Sequence, residues 1–544
     1  MSSRLIQGAF ILTVGSVLSK VFGVLYVIPF NMLLGADGAG LYSYSYVPYS
    51  IFISISTAGI PLALSKSISK YNYLEEYRVS QQLFRASVKL MLITGILAFL
   101  AMYTLAPFLA NISSHGGKGF ATEDITAVMR AVSFALIIIP CMSVFRGYFQ
   151  GHSDMKPTAI SQVIEQLVRI GFLLAGAFVV IKVLDGSVVT AVSVATFAAA
   201  VGAIGGSFVL WRYWKKDQGI RAERLRRDRG TYQIKTLPLF KEILVSSVPF
   251  VMVGISMSMF QLVDNLTFTR AMDSIGQDTK AIKSAFGILN FNTQKLVLIP
   301  NTIATSLSIA LIPAITSAYM KRDSSLFQSH LTQSFQGLLF IMIPAVMGMS
   351  VLAGPLYTAF YGFSELGTEV LAAYVPAAIL FALFSVTAAV LQGTNYQKYT
   401  VLSLLTGFLC KLAFNIPLIQ LFETRGAAYA TALGYLVTCF LNLYFIRYFT
   451  GYRYHLLVKR SVGIFILSCI MYVAVLALEN LLGIAINPEK RFGSILTVII
   501  CAVIGAGLYG YLAYRIGLLN KVFDGKIDGV MEKFRPYRKQ RFRS

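Results

Sequence analysis

Gln150–Phe172 reads QGHSDMKPTAISQVIEQLVRIGF, and Gln392–Phe414 reads QGTNYQKYTVLSLLTGFLCKLAF. The two stretches align without a gap at an offset of 242. Gln150/Gln392, Gly151/Gly393, Lys156/Lys398, Thr158/Thr400, Ser161/Ser403, Leu167/Leu409 and Phe172/Phe414 are identical, and Arg169/Lys411 keeps a cation. Each copy opens on a polar turn and runs into an apolar stretch. A junction of this kind, met twice, predicts a chain built from two similar halves.

The surroundings of both copies are apolar. The 544 residues are 56% hydrophobic and 13% charged, with a mean hydropathy of +0.68, whereas soluble proteins carry about 25% charged residues. Apolar blocks long enough to cross a hydrocarbon core of about 30 Å as helices recur along the whole length. None shows the two-residue alternation of a membrane β-barrel. The expected fold class is an all-α polytopic membrane protein of about 14 transmembrane helices. The expected spans are 5–33, 40–68, 87–112, 123–149, 158–182, 187–213, 240–271, 284–319, 328–353, 365–392, 398–421, 426–447, 461–482 and 493–516. The first follows Arg4 but stays apolar to about Leu34, beyond the roughly 7–15 residues of a signal core. It is expected to be retained as a span.

On this map the repeat superposes the junction of spans 4 and 5 on that of spans 10 and 11. Spans 1–6 and 7–12 are then two lobes. An even number of spans per lobe gives both the same orientation, so they are parallel repeats about an axis along the membrane normal. Transporters built this way hold substrate between the lobes and rock them to alternate access. The expected organisation is an N-lobe at 1–213, a basic linker at 214–239, a C-lobe at 240–449, spans 13 and 14 within 450–516, and a basic tail at 517–544.

The formal charge of +23 would suggest nucleic acid on a soluble protein. Here its placement says otherwise. Alternate loops put about 34 of the 47 Lys and Arg on one side, and cytoplasmic loops carry that excess. Both termini are therefore expected in the cytoplasm of a cell whose plasma membrane holds the chain, with no nucleic-acid partner. Two segments are polar enough to leave the membrane: Lys215–Leu237, with Arg221, Arg224, Arg226, Arg227 and Arg229, and the tail, with Arg535, Arg538, Lys539, Arg541 and Arg543. Each reads either as an orientation signal or as a dock for anionic lipid headgroups. Cys141, Cys410, Cys439, Cys469 and Cys501 lie unpaired in apolar blocks, and the four histidines are scattered. Neither a metal nor a cofactor is expected.

A charge at membrane depth is costly and usually faces a cavity or a partner. Arg169 has Glu165 one turn before it, the favourable order for a helix pair. Lys20, Lys295 and Lys411 have no acid three or four residues away. They read either as cations that snorkel or pair across helices, or as the lining of a cationic cavity. A cationic cavity would favour an anionic headgroup such as a phosphate or diphosphate, since Lys acts as a point charge for phosphate. Asp264 and Glu165 are distant partners for these cations and candidates for ion coupling. The cluster Tyr42, Tyr44, Tyr46 and Tyr49 reads as an interfacial aromatic belt.

Leu18-Ser19-Lys20-Val21-Phe22-Gly23, Leu34-Gly35-Ala36-Asp37-Gly38, Gly59-Ile60-Pro61 and the run QKLVLIP from Gln294 to Pro300 resemble motifs of the multidrug/oligosaccharidyl-lipid/polysaccharide exporter superfamily. Within it, the chain most resembles the MurJ-type lipid II flippases. The resemblance implies transport without catalysis: an undecaprenyl-diphosphate-linked peptidoglycan precursor carried from the inner to the outer leaflet. It implies a substrate-binding cavity in which Lys20 and Lys295 stand where the family has arginines; Lys411 and Arg169 are the further candidate cations read from their place at membrane depth. It gives spans 13 and 14 the role of an apolar groove for the lipid tail, and makes cell-wall synthesis or division machinery a candidate partner. The alternatives are an exporter of another polyprenyl-linked unit, a drug/cation antiporter, and, in another class, a membrane polyprenyl-sugar transferase or ligase. An antiporter would have twelve spans and acidic cavity residues. An enzyme would need a larger outer loop than 111–122, 272–283, 354–364 or 483–492 provides.

Overall fold

The computed structural model describes residues 25–301 and 324–518, apart from 58–59, 115–119, 153, 231–247 and 250, together with a few isolated positions outside those ranges. The described backbone is helical, and ten of its helices are long and apolar enough to cross a membrane. The chain is thus an all-α polytopic membrane protein. In chain order the helices are α1 (Val27–Thr57), α2 (Ile60–Tyr73), α3 (Tyr77–Ser114), α4 (Thr122–Ser133), α5 (Ala135–Gly151), α6 (Lys156–Phe178), α7 (Val188–Lys216), α8 (Gln218–Arg226), α9 (Ser256–Ser274) and α10 (Thr279–Gly287). There follow α11 (Ser324–Val351), α12 (Ala353–Tyr361), α13 (Glu365–Tyr374), α14 (Ala377–Gly393), α15 (Gln397–Phe422), α16 (Thr424–Thr450), α17 (His455–Ala485) and α18 (Arg491–Arg515). Short π-helical turns follow α6 at Val179–Val183 and α10 at Ile288–Thr293.

The ten spanning segments match expected spans 3 to 6 and 9 to 14. Parts of expected spans 1, 7 and 8 lie outside the described residues. Expected span 2 runs through α1 and α2. The break expected between spans 1 and 2 is a single kink at Gly35 (φ 67°, ψ −171°) inside α1, a conformation that glycine adopts without steric cost. The outer segment expected as a loop at 354–364 instead forms α12, which Gly362 ends at φ 90°.

Contacts group the chain into two compact units: Met1–Asn292 with Leu412–Ala427, and Thr293–Lys411 with Ala428–Ser544. Compactness sorts residues by contact, whereas the repeat sorts them by sequence likeness, so the two divisions answer different questions. In the first unit α6 and α7 pack face to face on small residues. A Cβ on Gly202 of α7 would stand 2.7 Å from Arg169 Cβ and 2.8 Å from the Glu165 carbonyl oxygen of α6. Small residues let backbones approach in membranes, where apolar burial alone does not drive association. In the second unit α17 packs on α11 and α18, with Met471, Val475, Cys501 and Tyr509 in the seam. The Tyr509 hydroxyl donates to the Phe340 carbonyl at 2.9 Å. Large apolar side chains such as Leu97, Phe108, Phe440 and Val503 are exposed, as lipid-facing positions require.

The repeated sequence folds the same way twice. α5 ends at Gly151 and α6 starts at Lys156; α14 ends at Gly393 and α15 starts at Gln397. His152 and Thr394 have nearly the same backbone angles, (−89°, 8°) and (−97°, 8°). Asp154 N donates to Phe149 O at 3.0 Å, and Tyr396 N donates to Leu391 O at 2.8 Å. The donors and the acceptors are each 242 apart. In the second copy Asn395 N also donates to Gln392 O with Asn395 at φ 64°, a left-handed helix cap that asparagine tolerates. Thr158, Thr400, Ser161 and Ser403 are all buried.

Candidate functional site

Arg169 lies on α6. The expected pair with Glu165 does not form: Glu165 Oε2 accepts from Arg146 Nη2 of α5 at 2.6 Å, and Arg146 Nε donates to Ser161 Oγ at 3.0 Å. Arg146 reaches Glu165 across the helix–helix contact and holds both carboxylate and hydroxyl. Arg169 turns instead to tyrosines. Its guanidinium sits 5.5 Å from the Tyr46 ring centroid, and Nη2 donates to the Tyr42 hydroxyl at 3.4 Å. A planar cation over an aromatic face is attracted by the ring quadrupole.

The tyrosine cluster is therefore no interfacial belt. Tyr42, Tyr44 and Tyr49 are buried. Tyr42 stacks on Tyr46 and packs edge-on against Phe30 and Phe291. Tyr44 stacks on Phe286 at 3.9 Å and its hydroxyl meets Thr269 Oγ1 at 2.9 Å. α1 carries these rings at two- to three-residue steps, so they spread over its inner faces and draw α6, α9 and α10 around them.

Buried amides extend this polar interior. Asn31 Nδ2 donates to Asn292 Oδ1 at 2.9 Å. Asp264 and Asn265 are buried on α9, and both side-chain atoms of Asn265 are without a hydrogen-bond partner among the described residues. An unpaired amide in a low-dielectric interior is costly, which marks this region as one built for something besides stability. Asn290 and Asn292 belong to the π turn Ile288–Thr293. Such turns rotate the following residues relative to an α-helix and are frequent at functional sites. Lys295 stands just after it, half-buried between buried Gln294 and Leu296.

Lys411 on α15 is wholly buried, and its ammonium donates to Thr431 Oγ1 of α16 at 2.6 Å. Lys20 lies outside the described residues. The first unit thus holds Arg169, Glu165 and Asp264, and the second holds Lys295 and Lys411. Sequence reading missed the asparagines and the tyrosine collar. Amides at membrane depth were the available signal for the former; the latter was visible only as a cluster of rings.

The basic segment after α7 is a docked helix over its first half. Arg221 of α8 lies over the Trp214 ring at 3.8 Å and donates to the Trp214 carbonyl at 2.6 Å. Arg78 pairs with Asp228 at 3.3 Å and Arg229 with Glu75 at 2.7 Å. Beneath it, His152 Nδ1 bonds the Tyr148 carbonyl at 2.9 Å. Burial, helped by Arg224 and Arg221 and opposed by that bond, pushes its imidazole down to about 4. The rest of the segment, from residue 231, and the tail lie outside the described residues.

Known proteins agree with this architecture. The family model for lipid II flippase MurJ matches residues 231–501, and that for polysaccharide biosynthesis proteins matches 5–319. The chain is 41% identical over 543 residues to lipid II flippase MurJ of Bacillus subtilis (strain 168), covering 98% of this chain and 99% of that one. A solved structure of lipid II flippase MurJ in an inward closed conformation superposes with a TM-score of 0.66 at 13% identity, over 93% of this chain and 99% of that one. An inward-facing multidrug resistance MATE transporter superposes at 0.59 and 17% identity, over 79% and 98%; both are likenesses of fold. The full-length identity decides the family: the chain belongs to the MurJ lipid II flippases.

Proposed function

We propose that this protein flips lipid II, the diphosphate-linked cell-wall precursor, from the inner to the outer leaflet of the bacterial membrane. The observation that carries the reading is the 41% identity to a lipid II flippase along nearly the whole of both chains. Transport needs no covalent chemistry; it needs a cavity that neutralises the headgroup and opens to each leaflet in turn. Two six-helix lobes, 1–213 and 240–449, would rock about the site, with fourteen spans in all and both termini cytoplasmic. The matched helix junctions at 152 and 394 support the duplication. Lys20, Lys295 and Arg169 would meet the diphosphate, with Lys411 the fourth cation, enclosed against Thr431 here. Asp264 and Glu165 remain the carboxylates through which an ion could couple. The linker and tail would rest on anionic lipid.

The test is depletion of the protein in cells lacking another flippase, with lipid II assayed in each leaflet. Outer-leaflet lipid II should fall as inner-leaflet lipid II accumulates. Lys20→Ala and Lys295→Ala should each fail to restore it while reaching the membrane, and arginine should be tolerated at both positions, since it keeps the charge. Full complementation by both alanine variants would remove the cationic-cavity mechanism; undiminished outer-leaflet lipid II on depletion would remove the substrate.

A further inference from the structure

A further cationic site lies within the second unit, where α11 and α17 begin. A cleft of about 520 Å³ there is lined by Gln328, Thr332, Gln333, Gln336, Arg453, His455 and Arg460, with Ser329 and Leu456. Among the described residues the lining holds two arginines and a histidine and no carboxylate. Gln336, on the inner wall, is wholly buried. Its Oε1 accepts from Arg460 Nη1 at 2.8 Å, while its Nε2 has no hydrogen-bond partner among the described residues. The bond to arginine fixes the amide: turned over, its NH2 would face the guanidinium. Among the described residues the wall therefore presents an unpaired amide donor beside the Arg460 guanidinium, and an acceptor, preferably anionic, suits that pair.

The mouth of the cleft adds a third source of positive potential. α17 is a 31-residue helix whose N-cap, Tyr454, makes no side-chain capping bond. Its first N–H groups carry the positive end of the helix dipole and are ready to receive an anion. Both helices are long and apolar enough to cross the membrane, which puts their starts at headgroup level. Arg460 lies five residues beyond His455, about 7.5 Å deeper along the axis. A mostly apolar groove of about 710 Å³ runs along the same two helices, lined by Leu457, Val458, Val462 and Phe465 of α17, by Leu339 and Ile343 of α11, and by α16, whose Arg447 is among its walls. Leu339 and Ile343 come one and two turns after Gln336. Along α11 the apolar lining follows the polar one, and on α17 the two alternate, so a polar and an apolar surface share this pair of helices, as an amphipathic occupant requires.

We infer that this cleft binds a bulk membrane phospholipid with a net-negative headgroup, its phosphate held by Arg453, Arg460 and the Gln336 amide and its acyl chain in the apolar groove. What it binds does not depend on what the protein transports.

The full chain, purified in a mild detergent, would be titrated with phosphatidylglycerol and retained lipid counted by native mass spectrometry. The protein should hold phosphatidylglycerol against an excess of phosphatidylcholine. The double variant Arg453→Ala/Arg460→Ala should lose at least about tenfold in affinity, the scale of charge-assisted phosphate bonds. Gln336→Leu should lose about threefold or more, since it removes one hydrogen bond. Lys182→Ala, an exposed lysine of the other unit, should change nothing. Equal retention by wild type and the double variant would overturn the site. Displacement of the lipid by millimolar inorganic phosphate would overturn the lipid occupant. If the double variant does not fold, Arg453→Ala alone, at an exposed position, decides: unchanged retention also overturns the proposal.

Discussion

Arg169 and Lys411 occupy the same slot of the duplicated segment, 242 residues apart, and fold into different surroundings. Arg169 is half-buried among tyrosines, its planar face against Tyr46. Lys411 is sealed between α15 and α16 with Thr431. One turn earlier the copies differ as well. Glu165 is taken by Arg146; its counterpart Gly407 has no side chain, and α16 closes onto it. Both copies of the repeated segment keep a cation and a helix break. What stands one turn away, and on the facing helix, decided whether that cation is presented or enclosed.

The largest expected effect comes from filling the closed slot. A Cβ on Gly407 would lie 1.9 Å from Thr438 Oγ1 and 2.3 Å from the Gly434 carbonyl oxygen. The hydroxyl can turn away, but the backbone oxygen cannot. Gly407→Ala should therefore destabilise by about 1 to 3 kcal/mol, as overpacking does, although Ala is ordinarily the better helix former. Thermal unfolding in detergent measures this, and an unchanged midpoint would mean that α15 and α16 are not closed here. Next comes the functional contrast. Arg169→Ala should lower delivery of lipid II to the outer leaflet at least about tenfold, equivalent to about 1.4 kcal/mol of lost interaction. Arg169→Lys should recover only part, because the ammonium lacks the planar face that stacks on tyrosine. Lys411→Met should lower delivery by less than about threefold, because a buried polar contact is replaced by a similar apolar volume. Equal losses for Arg169→Ala and Lys411→Met would erase the distinction.

The smallest effect compares His152 with Thr394, again one slot in two copies. Both side chains bond the carbonyl four residues earlier, at 2.9 Å and 3.0 Å. Only the imidazole titrates. Its pKa in the folded protein, about 4, lies below the ordinary value near 6.5, so the folded form binds fewer protons than the open one between those values. The stability of this junction is then complete above about pH 6.5 and lost as pH falls toward 4. Protection against amide exchange in 217–229, the docked segment above His152, should fall on acidification once intrinsic exchange rates are divided out, while that in 394–400 stays flat. His152→Gln should abolish the difference, and if protection in 217–229 is independent of pH, this account of the junction fails.

Much of the fold was legible because a membrane imposes few solutions. Apolar runs of sufficient length must be helices when the backbone has no water to bond, and the repeat at 150 and 392 was readable because its turn chemistry is local. The site was less legible. Glu165 and Arg169 have ideal spacing for a helix pair, yet Arg146 arrives from another helix and takes the carboxylate. The tyrosines of α1 read as an interfacial belt because their composition matches one; burial against Phe286, Phe291 and Thr269 depends on which helices surround α1. Gln336 and Arg460 are 124 residues apart, and no local pattern links them.

By itself, then, the sequence determined the helical membrane class, the repeated helix junction at 150 and 392, and the presence of cations where hydrocarbon makes them expensive. These follow from local rules: hydropathy, helix length and turn-forming residues. The tertiary structure decided which cations are enclosed and which are presented, which carboxylate pairs with which arginine, and where an unpaired amide meets a guanidinium. The reason is that charge at membrane depth is governed by its nearest neighbours across helices, and those neighbours are chosen by packing between segments far apart in the chain.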